Sequence, residues 1–190
     1  MGRLASASDF EDNGVMYTNY RRYQFFAERA AVIHEAFPTG KILIAGCGWG
    51  FLVDELVKLG RDAFGFDASP YATARSVEVL GPTISSRVFS ASVLVRAQMT
   101  STKASIGFSG AQKVPLLVTE DLLPVLTNAE ITTALTECRR IATNLLHVVT
   151  PGDPADPSKL AGLNWKPVAT WKTTVAPDAV MNAEAGNRIV

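Results

Sequence analysis

Three glycines at alternate positions, Gly46, Gly48 and Gly50, follow the wholly apolar run Ile42–Ala45. An acid, Asp67, stands seventeen residues beyond the last of them. Glycine is needed where a side chain would block an approaching ligand or where φ is positive. A buried strand that runs through such a loop into a helix turns backbone N–H groups and a helix N-terminus toward a ligand. An acid at the end of the next strand can accept both ribose hydroxyls of an adenosine. The dinucleotide fingerprint G-x-G-x-x-G is not met, because the spacing here is G-x-G-x-G and position 51 is Phe51. That counts against a nicotinamide-dependent oxidoreductase.

Two further acids, Glu120 and Asp121, close the apolar run Val114–Thr119. A carboxylate at a strand end can take a proton from a nucleophile, so these are the candidate catalytic residues. The competing reading is that either one orients a loop or meets solvent. His34 lies beside an apolar stripe and His147 opens a strand, and both read as structural. No His/Cys/Asp spacing suggests a metal site. A Ser-His-Asp hydrolase would want G-x-S-x-G at the strand-to-helix turn, where this chain has GCGWG.

The elements that must position these groups follow from periodicity. Phe26, Ala30, Ile33 and Phe37 share one face of a helix predicted over 15–37, ended by Pro38 and Gly40. Strand Lys41–Ala45 leads into the glycines. Leu52, Leu56 and Leu59, with Val53 and Val57, mark an amphipathic helix closed by Gly60. RDAFGFDAS supplies a second strand ending at Asp67. Ser69-Pro70 starts another helix as N-cap and first-turn proline, and Gly81-Pro82 closes it. RVFSASVLV is a third strand, and the Ser/Thr/Gly-rich stretch 97–113 reads as loop with one helical turn. VPLLVTEDLL is a fourth strand. Thr127 and Glu130 form a capping box before ITTALTECRRIATN, and LLHVVTP is a fifth strand. Residues 151–190 carry no assignment. Alternating strands and helices, with apolar strands covered on both faces, predict a parallel α/β sheet. Ligands bind beyond the carboxyl ends of the strands in such sheets.

The chain has 190 residues, enough for one domain with a sizeable core, with a loose tail over 1–14 and a single domain over 15–190. Eighteen basic and eighteen acidic side chains give no global pull on nucleic acid or anionic membrane. Cys47 and Cys138 form neither a metal pair nor a disulfide framework, which points to a reducing, cytoplasmic setting. The acid-bearing N-terminus does not read as a secretory signal, and no apolar run is long enough to span a membrane.

GCGWG followed by GFDASPYA resembles motif I and the acidic ribose motif of the class I S-adenosylmethionine-dependent methyltransferases, over roughly residues 40–150. GCGWGFLVDEL and TEDLLPVLT together are similar to small methyltransferase-like proteins of bacteria and their phages. The resemblance implies a Rossmann-like fold: seven strands, mostly parallel, with one antiparallel edge, here shortened at the C-terminus. It implies S-adenosylmethionine as cofactor. Gly46, Cys47, Gly48 and Gly50 would form its loop, Asp67 would hold the ribose, and Ala68 would lie beside the adenine. Ser92 would stand in for the usual third-strand acid on the adenine amine. The end of the fourth strand would face methyl group and substrate. Tyr17 or Tyr20, from the N-terminal helix, would cap the site, although packing on that helix is the competing use of both and of Tyr23. Trp165 and Trp171 are candidates for a substrate wall or for the core.

Where the family often carries an acid two residues before the first glycine, this chain has Ile44. That departure keeps open a second reading, a catalytically inactive module of the same fold acting through a protein partner. Thr119-Glu120-Asp121-Leu122 is not the Asp/Asn-Pro-Pro-aromatic motif of the amino-group DNA methylases. Neither cysteine follows a proline, as the nucleophile of cytosine-carbon methylases does. The implied activity is methyl transfer to a small molecule or protein in preference to nucleic acid.

Overall fold

A computed structural model of the chain describes residues 6–10, 20–149, 164, 184–185 and 188–189. Its centre is a five-stranded parallel sheet in the order β3-β2-β1-β4-β5. The strands are β1 (Ile42–Ala45), β2 (Ala63–Asp67), β3 (Val88–Ser90), β4 (Val114–Glu120) and β5 (Ala142–Val148). Strand order reverses between β1 and β4, and both the glycine loop and the Glu120-Asp121 pair lie at the carboxyl ends there. This is the Rossmann-like α/β architecture expected from the sequence. A two-residue antiparallel ladder, β6 (Glu184–Ala185) with β7 (Arg188–Ile189), forms a second sheet. The remaining strands implied by the resemblance lie outside the described residues.

Side chains alternate across the sheet, and helices cover both faces. On one face Ile42, Ile44, Leu116 and Val118 pack with Phe26, Ala30 and Ile33 of α2 (Gln24–Ala36) and with Leu52, Val53 and Leu56 of α3 (Phe51–Lys58). On the other, Leu43, Ala45, Phe66 and Leu117 pack with Met99 of α5 (Arg96–Ser105) and with Ile131, Leu135 and Cys138 of α6 (Asn128–Ile141). β1 is wholly apolar because it is central and covered twice. All four of its side chains are completely buried. Ile44, at the position where an acid is frequent in the family it resembles, is one of them.

The local signals hold. Ser69 caps α4 (Pro70–Ser85) by accepting from the Ala72 N–H at 3.2 Å. The Thr127–Glu130 capping box is complete on both sides. Gly60 closes α3 with a φ of 77°.

Six boundaries differ from the sequence reading. Residues 97–113 were expected to be loop with one helical turn, but α5 takes ten residues from Arg96. It is held by buried Met99 and Thr102 and by Lys103, whose Nζ donates to the Gly110 and Gln112 carbonyls at 2.8 Å. Tertiary contacts override weak Ser/Thr propensity there. α2 begins at Gln24, with residues 20–23 outside the helix and Tyr23 extended before it. α4 breaks at Gly81 (φ 73°, ψ 175°) but continues for a further turn through Pro82. β3 stops at Ser90, and β5 starts at Ala142, directly on the end of α6. Within the stretch read as a tail, Ala7–Phe10 form a short helix, α1, and Phe10 is buried.

Candidate functional site

The loop after β1 is shaped by what surrounds each position. The Gly46 and Cys47 N–H groups both donate to the Phe66 carbonyl, at 2.9 and 3.2 Å, tying the loop to β2. Gly46 has a φ of 76°, and a Cβ there would lie 2.9 Å from the Glu120 carbonyl oxygen. Gly48 has a φ of 54°, and a Cβ there would lie 2.5 Å from the Tyr20 hydroxyl. Gly50 is the N-cap of α3. Cys47 turns inward: a Cβ on Gly65 of β2 would stand 2.8 Å from its Sγ. Burial, with the Asp67 and Glu120 carboxylates nearby, pushes the Cys47 thiol well above its usual range. Cys47 therefore meets a ligand only through its backbone, and it is not a nucleophile.

Asp67 ends β2 and faces this loop. Its Oδ2 accepts the Gly48 N–H at 2.9 Å, and its Oδ1 accepts the Ser69 N–H at 2.8 Å. The two bonds fix both carboxylate and loop. An ionised carboxylate has about four acceptor positions, so two remain for a pair of vicinal hydroxyls. Burial raises the Asp67 pKa to about 6, while the Ser69 and Gly48 N–H bonds pull it back down. Ala68 lies beside it on the rim. Ser92, just past β3, accepts the Leu94 N–H on its Oγ at 3.2 Å, so its hydroxyl oxygen already serves the loop before α5.

At the end of β4 the two candidate acids separate. Glu120 is buried and pairs with Arg29 of α2, Nη1 to Oε1 at 2.6 Å. Asp121 follows the strand with a φ of 45°, the one positive value at a non-glycine among the described residues. Its Oδ2 lies 3.7 Å from Arg29 Nη2. Periodicity carries a sign of Arg29, which sits on the stripe of Phe26, Ala30 and Ile33, but its partner is 91 residues away and had no signal. A second buried pair joins Thr119 Oγ1 and His147 Nδ1 at 2.9 Å across the paired ends of β4 and β5. His147 thus has a polar partner in the sheet, whereas His34 is exposed on α2.

The N-terminal segment covers the loop. Tyr20 meets Trp49 edge-on at 5.0 Å and stacks on Phe51 at 5.5 Å, and Phe10 stacks on Trp49 at 6.1 Å. Trp49 and Phe51 are buried in this aromatic cluster. Of the tyrosines considered as caps, Tyr20 reaches the loop; Tyr17, Trp165 and Trp171 lie outside the described residues. Cys138 is buried within α6. Among the described residues no group of three or more His, Cys, Asp or Glu side chains is placed to hold a metal. None of their helices is long and apolar enough to cross a membrane.

No protein-family profile matches the chain, and no curated protein matches its sequence. Solved structures do match its shape. The magnesium protoporphyrin IX methyltransferase of Synechocystis PCC 6803, solved with S-adenosylmethionine bound, superposes with a TM-score of 0.58 at 16% identity, over 86% of this chain and 71% of that one. The mitomycin 7-O-methyltransferase gives 0.62 at 12% identity, over 86% and 51%. A TehB-like S-adenosylmethionine-dependent methyltransferase from Corynebacterium glutamicum gives 0.53 at 18%, over 77% and 68%. The chain thus spans between about half and under three quarters of the length of these proteins. With the sheet order, the glycine loop after β1 and the acid at the end of β2, the likeness establishes that this chain has the fold of the class I S-adenosylmethionine-dependent methyltransferases.

Proposed function

We propose that the chain binds S-adenosylmethionine across the carboxyl ends of β1 and β2 and transfers its methyl group to a small-molecule or protein acceptor in the cytoplasm. The observation that carries this is the joint between Gly48 and Asp67: a positive-φ loop N–H bonded to a carboxylate that keeps two acceptor positions open. Gly46, Cys47 and Gly48 would face the amino-acid and ribose portions with backbone alone, and Gly50 would start the helix behind them. Asp67 would hold the ribose hydroxyls, with Ala68 and Ser92 flanking the adenine.

When bound, the cofactor supplies both the methyl group and its leaving group, so the chain's own task is placement and proton handling. Tyr20 and the aromatic cluster below it keep water from the loop. The end of β4 would present a carboxylate to the acceptor and take its proton where it carries one. A small-molecule acceptor agrees with the balanced charge and with two of the similar structures, which are named for such acceptors.

Calorimetric titration with S-adenosylmethionine and S-adenosylhomocysteine, with NADH as control, tests the reading. Binding of the first two and not the third is the expected result. Absence of binding by either would leave the glycine loop as a feature of the fold alone and sink the proposal.

A further inference from the structure

We propose that Arg29 divides the two acids at the end of β4: it commits Glu120 to a buried ion pair and positions Asp121 to meet the acceptor. This rests on the methyl-transfer reading above. Arg29 is 3% exposed, on the apolar stripe of α2, with its guanidinium 4.5 Å from the centre of the Phe25 ring. Nη1 donates to Glu120 Oε1 at 2.6 Å. Nη2 has no hydrogen-bond partner and stands 3.7 Å from Asp121 Oδ2. A guanidinium is a rigid planar fork, so fixing one arm on Glu120 fixes where the other is held.

The two acids stand in different surroundings. Glu120 continues the alternation of Leu116 and Val118 and so lies on the α2 face, 6% exposed. Its side chain is buried between sheet and helix against Arg29. Asp121 is the first residue past the strand, and its side chain is 16% exposed. Its backbone is left-handed and is held there by its N–H, which donates to the Val148 carbonyl at 3.0 Å. Non-glycine residues pinned in that region cluster at functional sites, where neighbouring structure over-determines them. Its neighbours on either side, Glu120 and Leu122, are the residues that a Cβ on Gly46 would strike. Asp121 is therefore set between two residues in contact with the loop assigned to the cofactor, at the place where the transferred group would emerge.

Sinefungin tests this without knowledge of the acceptor. In it a CH–NH3+ group replaces the methyl-bearing sulfonium, so it carries an ammonium toward the acceptor side, whereas S-adenosylhomocysteine carries no charge there. Dissociation constants for both ligands would be measured on wild type, Asp121→Asn, Arg29→Lys and the double variant Arg29→Met/Glu120→Met. The double variant leaves the local net charge unchanged, and its fold is checked by thermal melting. Wild type is expected to favour sinefungin about fivefold, as one partly exposed charge pair would give. Asp121→Asn is expected to lose that preference while holding its S-adenosylhomocysteine affinity within about twofold. The folded double variant is expected to lose it too, and Arg29→Lys to keep part of it. A full preference retained in Asp121→Asn, or in the folded double variant, overturns the proposal. Equal affinity of wild type for the two ligands overturns it while leaving the cofactor reading standing. Wild type that binds neither ligand removes both.

Discussion

Lowering the pH from 7 to 5 is expected to weaken binding of S-adenosylhomocysteine about tenfold, through Asp67 alone. Burial raises the pKa of this carboxyl to about 6, against a model-compound value of 3.8. Ribose hydroxyls donate to the ionised form, so binding is coupled to loss of its proton. For one such group the dissociation constant grows by the factor 1 + 10^(pKa − pH), which is about 11 at pH 5 and about 1.1 at pH 7, a difference of about tenfold. Titration calorimetry between pH 5 and 8, in buffers of different ionisation heat, reads both the affinity and the proton released on binding. Asp67→Asn should flatten the profile and weaken affinity at pH 7.5 by about 1.5–3 kcal/mol, the range for a hydrogen bond to a charged group. The sign for folding is opposite. A carboxyl whose folded pKa is raised favours the folded state below its unfolded value and loses that contribution as pH rises to about 6. The ligand-free chain should accordingly lose up to about 3 kcal/mol over that interval from this group. A flat affinity profile in wild type, or an Asp67→Asn variant that binds like wild type at pH 7.5, would refute the assignment of Asp67 to the ribose.

Arg29→Met should cost about 3–5 kcal/mol by taking from the buried Glu120 carboxylate its guanidinium partner, and adding Glu120→Met should recover most of it, both read by urea unfolding. Gly65→Ala places a methyl group 2.7 Å from Cys47 Cβ and 2.8 Å from Val53 Cγ2. It should lower stability by about 1–3 kcal/mol, seen as a fall in melting temperature. Both cysteines are buried, so a thiol reagent at pH 8 should label neither in the native chain and both in denaturant. Rapid native labelling of Cys47 would contradict its tucked position under β2.

What could be read from the sequence was what short range dictates. Caps at Ser69 and Thr127, the stop at Gly60 and the strand–glycine–helix unit are each written within a few residues. The acid at the end of β2 was legible because parallel neighbours place their carboxyl ends side by side. Arg29 with Glu120, and Thr119 with His147, were not, since each pair spans strands or helices far apart in the chain. α5 was missed for a related reason: RAQMTSTKAS is a poor helix by propensity, and its anchors are a buried methionine and a lysine bonded to carbonyls beyond its end. Adjacent Glu120 and Asp121 looked equivalent as letters. A left-handed turn and one guanidinium make them different groups.

The sheet order also sets a schedule for synthesis. β1 leaves the ribosome with β2 close behind, but its other partner, β4, begins 69 residues after Ala45. At about 5–20 residues per second that interval lasts roughly 3–14 s. Throughout it Ile42–Ala45 presents an unpaired, wholly apolar edge, the kind of strand that other chains pair with readily. Pairing between β1 and β4 closes that edge and, in the same event, brings the Glu120 carbonyl against Gly46. The step that closes the β1 edge of the nascent sheet is thus the step that assembles the site, while the outer edge of β4 waits for β5.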